Sequence, residues 1–135
     1  MERTLFIVKP DAVERDLIGK ILAMIEDGGL RIAALKMTRL SERTAGEFYH
    51  VHRGKEFYGN LVSYMTSGRI VAGVAEGDDA IKRLRGACGA TNPTAAAGGT
   101  IRATYGVNLT MNSIHASDSP ATAQEEVGFF FSDLE

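Results

Sequence analysis

Apolar and polar positions along this chain switch between two periods. Leu5, Phe6, Ile7 and Val8 follow Arg3-Thr4 as a short apolar run that stops at Lys9-Pro10, which predicts a buried strand with Lys9 at its polar end. Ile18, Ile21, Leu22 and Ile25 then recur at helical spacing, and Gly28-Gly29 closes the pattern, so a helix is predicted there. Leu30 to Leu40 contains no breaker, and its continuous apolar character predicts a second strand covered along much of its length. Ala45, Phe48, Tyr49 and His52 make one helical stripe and Tyr58, Leu61, Val62 and Met65 another, which predicts two short helices joined around Gly54. Ile70 to Ala75 reads as a third strand, and Gly77-Asp78-Asp79 as a turn that offers an N-cap to a helix carrying Ala80, Ile81 and Leu84. Periodicity disappears between Gly86 and Gly99, a loop of about 14 residues by this reading, and loops of that length are usually functional or mobile. Ser113-Ile114-His115 is a candidate last strand. Ser117-Asp118-Ser119-Pro120 then supplies an N-cap and a first-turn proline, and Ala123, Val127, Phe130, Phe131 and Leu134 mark the face of a final helix.

This order predicts an α+β fold, a ferredoxin-like split βαβ with a four-stranded antiparallel sheet covered by helices, as one domain over residues 1–135. A composition 44% hydrophobic and 24% charged argues against a disordered chain, a collagen or a disulfide scaffold. The single cysteine, Cys88, excludes an internal disulfide and suits a reducing compartment. No apolar run approaches the roughly 18 residues of a membrane helix, so a soluble cytoplasmic protein is expected. The net charge of -2 provides no global field for nucleic acid, but its distribution is uneven. All 15 Lys and Arg lie in residues 1–102 with 12 acids, while 103–135 hold five acids and no base, so an anionic ligand needs side chains from the first part.

Several phosphate and metal devices are missing. Gly19-Lys20 lacks the remainder of a Walker loop, no Gly-x-Gly-x-x-Gly follows a strand, His50 and His52 fall on different sides of a helical stretch, and Cys88 has no zinc-type spacing. Phosphate binding must then come from side chains or helix ends. His115 stands just before a capped helix start, where orphan amides and the dipole favour anions, and a neutral imidazole can attack phosphorus without a separate base. Arg85 and Arg102 bracket the long loop that contains Thr91, and guanidinium forks match phosphate oxygens. Each residue also has an ordinary reading: a helix cap beside a structural histidine, cations in a last helical turn, a solvated Arg102, a solvated Lys9, a core Phe57 and a surface Glu126.

As a set, these positions resemble nucleoside diphosphate kinase over essentially the whole chain. The resemblance rests on Lys9-Pro10-Asp11-Ala12-Val13, Phe57 through Gly68, Gly89-Ala90-Thr91-Asn92-Pro93, Gly99-Thr100-Ile101-Arg102 and Asn112-x-x-His115-x-Ser117-Asp118-Ser119, in the family's order. It implies transfer of the γ-phosphoryl group of a nucleoside triphosphate, typically ATP, to a nucleoside diphosphate by a ping-pong route through a phosphohistidine at His115. Mg²⁺ is implied as a cofactor bound mainly through the nucleotide phosphates, with no metal ligand from the protein. By matching position, Lys9 and Asn112 would bond the sugar hydroxyls and Arg85, Thr91 and Arg102 the phosphates. Phe57 would stack on the base with Leu109 nearby, Tyr49 and Glu126 would orient the histidine region, and Ser117 would support it. A homo-oligomer is implied, a hexamer in preference to a tetramer, with the Thr91-to-Gly99 loop as an assembly element of the hexamer. Ala116 stands where the family usually has glycine, and a positive φ there would strain its methyl group.

Two other classes remain open on sequence alone. One is a ferredoxin-like module that binds a small regulatory ligand without catalysis. The other is a nucleic-acid-binding or nuclease role, against which the acidic balance and the lack of a basic stripe count.

Overall fold

The computed structural model describes residues 1–132. The run ending at Val8 forms β1 (Glu2–Val8), whose residues from Leu5 to Val8 are fully buried. It lies inside a four-stranded antiparallel sheet of order β2-β3-β1-β4, completed by β2 (Arg31–Thr38), β3 (Ile70–Gly77) and the three-residue β4 (Ile114–Ala116). Side chains alternate across a strand, so β1 serves two cores. Phe6 and Val8 pack with α2 (Ile18–Asp27) and α5 (Ala80–Cys88) through Ile21, Ile25, Leu84 and Cys88. Leu5 and Ile7 pack with α3 (Glu42–Phe48), α4 (Tyr58–Met65) and α7 (Pro120–Phe130) through Phe48, Met65 and Phe130. The topology is the ferredoxin-like arrangement the element order predicts.

At Phe6↔Gly73, a β1 ring lies on the β3 backbone, and a β-carbon at Gly73 would sit 2.2 Å from the Phe6 ring. Gly73→Ala therefore forces the most buried strand pair apart. The expected loss is about 1–3 kcal/mol in a urea melt, from overpacking in a core with no slack.

Four local expectations are corrected. Lys9-Pro10 ends the strand but also starts a helix, α1 (Pro10–Glu14), because proline is tolerated at N1, where no amide donor is needed. β2 is an edge strand with a bulge near Ala33, so it is not covered along much of its length: Leu35 and Met37 are 48% and 52% exposed. Asp79 occupies the N-cap position of α5 in a left-handed conformation, and its side chain makes no cap bond. Glu2 from β1 takes the cap role by accepting from the Ile81 amide at 2.9 Å. The stretch from Gly86 to Gly99 is shorter as a loop than expected, because α5 runs to Cys88 and a 3₁₀ turn spans Pro93–Ala95. α6 (Ile101–Tyr105), capped by the Thr100 hydroxyl, follows it and was not legible in the pattern. The final helix starts as predicted, with a capping box between Ser119 and Thr122; Leu134 lies outside the described residues.

Candidate active site

β4 pairs with β1 so that Ile7 faces His115 and Phe6 faces Ala116. His115 therefore points to the side of the sheet covered by α3 and α7, while Ile114 and Ala116 enter the opposite core. On that side His115 Nε2 lies 2.9 Å from Glu126 Oε1 on α7, and Ser117 Oγ donates to the same oxygen at 2.6 Å. A carboxylate only accepts, so Nε2 carries the proton and the lone pair is left on Nδ1. Phe48 presents an edge to the ring at 5.4 Å between centroids, and Tyr49 stands perpendicular to it at 6.4 Å. The Tyr49 hydroxyl is buried and has no hydrogen-bond partner among the described residues. Burial, with a further contribution from the Glu126 charge, holds its pKa above the ordinary tyrosine value.

The two arginines hold the backbone on either side of the histidine. Arg102 Nη2 donates to Ile114 O at 2.7 Å and Nη1 to Gly89 O at 2.9 Å, while Arg85 Nη1 donates to Ala116 O at 3.3 Å. Arg102 is only 7% exposed, which removes its reading as a solvated surface residue. Gly89 turns the chain after α5 at φ +85, where a β-carbon would meet Thr100 Oγ1 at 2.5 Å. Burial pushes the Cys88 thiol up to about 11 against the opposing charges of Arg102 and Arg85, so it stays neutral.

A second connected group starts at Lys9, just past β1. Its Nζ donates to Asn112 Oδ1 at 2.9 Å and to Thr110 O at 3.4 Å, and Asn112 Nδ2 donates to Thr91 O at 3.0 Å and Leu109 O at 3.1 Å. Burial, and then the Arg102 charge, lowers the Lys9 pKa to about 8, with Asp11 opposing the shift. Thr91 enters this group through its carbonyl and remains exposed, as does Leu109. Phe57 lies at the start of α4, half exposed, and is in neither group. It reaches Tyr49 only through His52, whose ring is 5.2 Å from Phe57 and 6.4 Å from Tyr49.

Two expectations change here. The start of α7 is not a set of orphan amides, because Thr122 Oγ1 accepts from the Asp118 and Ser119 amides and Ser119 Oγ from that of Thr122. Ala116 has no positive φ, so its methyl group packs in the core without strain. The left-handed residue is Ser113, at φ 76. Phe48 is read from the sequence only as a member of a helical stripe; nothing in a period of 3.6 distinguishes a ring that packs on His115 from one that packs on a leucine.

Among the described residues no group of three or more His, Cys, Asp or Glu is placed to hold a metal ion. Arg85 and Arg102 bond the carbonyls of Ala116 and Ile114 on either side of His115, and of the nearby carboxylates Glu126 is taken by His115 and Ser117 while Asp118 accepts from the Thr122 hydroxyl. That donor set fits a divalent cation that arrives on the oxygens of a polyphosphate. The cleft of about 380 Å³ between α7 and the start of β1, lined in part by Glu2, Arg3, Ile81, Gln124 and Phe131, contains none of these residues.

An imidazole with one nitrogen bonded to a carboxylate and, among the described residues, no hydrogen bond to the other, flanked by the buried Arg102 and the exposed Arg85 on a ferredoxin-like sheet, fits a phosphotransferase working through histidine. The whole chain agrees. Residues 2–135 match the family model for nucleoside diphosphate kinase. A nucleoside diphosphate kinase of Nitratidesulfovibrio vulgaris is 52% identical over 135 residues, which cover all of this chain and 97% of that protein. One from Citrifermentans bemidjiense is 50% identical, again over all of this chain and 98% of the other. Among solved structures, the Aquifex aeolicus nucleoside diphosphate kinase superposes with a TM-score of 0.96 at 52% identity, covering 99% of this chain and 97% of that one. The Halobacterium salinarum enzyme in complex with CDP does so at 0.94 and 44% identity, covering 98% and 88%. The chain belongs to the nucleoside diphosphate kinase family. It is a phosphotransferase that moves a phosphoryl group from a nucleoside triphosphate to a nucleoside diphosphate by the family's phosphohistidine route.

Proposed function

We propose that His115 is the residue that carries the phosphoryl group, and that Nδ1 is the attacking atom. The observation that supports this most directly is the 2.9 Å bond from Nε2 to Glu126, which leaves one ring nitrogen with a lone pair. In the first half-reaction the Nδ1 lone pair forms a bond to the γ-phosphorus. The bond from phosphorus to the β,γ-bridging oxygen breaks, and the diphosphate leaves with the electron pair. Positive charge develops on the ring and is stabilised by the Glu126 carboxylate, which Ser117 holds in place. In the second half-reaction a terminal oxygen of another diphosphate attacks the phosphorus, and the N–P bond pair returns to Nδ1.

The remaining side chains bind and align. In this reading Arg85 and Arg102 use the N–H groups not spent on Ala116 O, Ile114 O and Gly89 O to neutralise phosphoryl oxygens, and Thr91 adds a hydroxyl. Lys9 and Asn112 bond the sugar, Phe57 stacks on the base beside Leu109, and Tyr49 closes one side of the histidine pocket. Stacking reads every base through its π-face, so broad base tolerance follows. Mg²⁺, held by the nucleotide phosphates, would neutralise charge on them and fix their geometry. A single kinase domain, a homo-oligomer (hexamer in preference to tetramer) and a cytoplasmic location complete the proposal. The family match over residues 2–135 and the single buried thiol support the first and last of these. No described helix is long and apolar enough to cross a membrane.

Incubation with γ-labelled ATP and Mg²⁺ tests the site. The expected product is acid-labile, base-stable label, one per chain, discharged by any common nucleoside diphosphate. Label on a different residue would remove His115 from the role. The regulatory-module alternative predicts no label.

The lowered Lys9 pKa gives a pH dependence with a defined sign. Lys9 is protonated at neutral pH and loses its charge as pH rises through about 8. kcat/KM for the nucleotide, which reports the free enzyme, is therefore expected to fall on the alkaline side with an inflection near that value. In Lys9→Arg, which stays charged, that inflection should disappear.

A further inference from the structure

Asp11, in the Lys9-Pro10-Asp11 stretch, has no part in the chemistry above, yet its side chain is almost wholly buried and unusually well bonded. Oδ1 accepts from the Tyr64 hydroxyl, and Oδ2 accepts from Arg15 Nη2 at 3.1 Å and from Ser113 Oγ at 3.2 Å. Arg15 continues the connection by donating through Nη2 to Tyr105 O at 2.6 Å. One carboxylate thus ties together α1, which follows Lys9, α4, which follows Phe57, the end of α6, which carries Arg102, and the turn between Asn112 and His115.

That turn has a backbone that needs holding. Ser113 has φ 76, and the Ile114 amide donates back to Asn112 O at 3.0 Å, the hydrogen bond of a γ-turn with positive φ. Such turns are rare and strained, and a residue with a β-carbon persists in one only when its surroundings over-determine it. Here Ser113 is fixed at two points: its carbonyl accepts from the Lys9 amide at 2.9 Å, and its hydroxyl donates to Asp11. The strained residue lies one position after Asn112 and two before His115, so its φ sets the distance and orientation between them.

We propose that Asp11 is a positioning residue for phosphoryl transfer, one that holds the Ser113 γ-turn through the Ser113 hydroxyl and thereby places Asn112 and His115 relative to each other. The inference rests on the reading of His115 as the phosphoryl carrier. Asp11 touches neither substrate nor reacting atoms, and its effect passes through backbone geometry. Small misplacements of a nucleophile are costly in an in-line displacement, so loosening this turn slows the chemical step more than it weakens nucleotide binding.

The test is single-turnover labelling of the full chain with γ-labelled ATP and Mg²⁺, with rates expressed per folded molecule, in Asp11→Asn, Ser113→Ala and the double variant. Each single variant is expected to slow phosphoprotein formation at saturating ATP by about tenfold, with a smaller change in the ATP concentration giving half the maximal rate. The double variant should be no slower than the slower single one, because both changes break the same bond. Ser113→Ala removes only a hydroxyl and keeps the test available if Asp11→Asn folds poorly. Rates equal to that of the unmodified protein would overturn the proposal, and so would losses that multiply in the double variant. His115→Ala, measured alongside, separates the two levels: label retained there defeats the site assignment itself, whereas label lost there but normal in the other variants defeats only the role of Asp11.

Discussion

His115→Ala is expected to abolish phosphoprotein formation and to lower nucleoside diphosphate kinase turnover by at least about 10⁴-fold, because in the proposed mechanism the phosphoryl group is carried on its ring. The loss should be one of chemistry and not of folding. His115 lies on edge strand β4, its backbone pairing with Ile7 does not depend on its side chain, and Glu126 keeps Ser117 as a donor when the ring is gone. A nucleotide should therefore still protect the variant against thermal unfolding. Steady-state turnover and a thermal shift with and without ADP check both halves. Turnover within tenfold of the unmodified chain would remove the histidine from the centre of the mechanism.

Arg102→Ala should have the second largest effect, and in two currencies. Its guanidinium reaches Ile114 O and Gly89 O at once, on opposite sides of the path from α5 to β4, and it is almost fully buried. Removing it leaves two carbonyls without that donor, and hydrogen bonds to charged groups contribute about 1.5–3 kcal/mol, so a lower urea midpoint is expected. In the proposed mechanism it also withdraws a cation from the transferring phosphoryl group, for which a loss in kcat/KM of about 10³-fold is expected. Arg102→Lys separates the effects. A single ammonium retains charge but cannot span the two carbonyls, so it should recover part of the catalytic loss and little of the stability. Full recovery of both would show that charge alone matters and that the fork geometry does not.

The sequence carried the fold where hydrophobic period and punctuation agree. β1, α2, β3 and the capped start of α7 each combine a clear stripe with a Gly, Ser or Pro at a boundary. Elements with little periodicity were missed or misjudged: α1 and α6 are five residues each, too short to show a stripe, and β2 is apolar enough to read as covered although it is an edge. In the site, Tyr49, Arg85, Arg102, Ser117 and Glu126 stand around His115 and Lys9 joins Asn112, whereas Phe57 is in neither group, and the connections cross sequence separations that no local pattern reveals. Lys9 meets Asn112, and Asp11 meets Ser113, because β1 and β4 are neighbours in the sheet. The expectation about Ala116 shows the same limit. Strain near the histidine was anticipated at the residue after it, whereas the left-handed backbone is at Ser113, two residues before it.

In the proposed mechanism Glu126 holds the Nε2 proton and so directs phosphorus to Nδ1. Phosphorus–nitrogen coupling in the NMR spectrum of the phosphorylated protein, labelled with ¹⁵N in its histidine rings, reads that assignment directly. Coupling to Nδ1 of His115 is the predicted result. Coupling to Nε2, or to a ring nitrogen of His50 or His52, would contradict it.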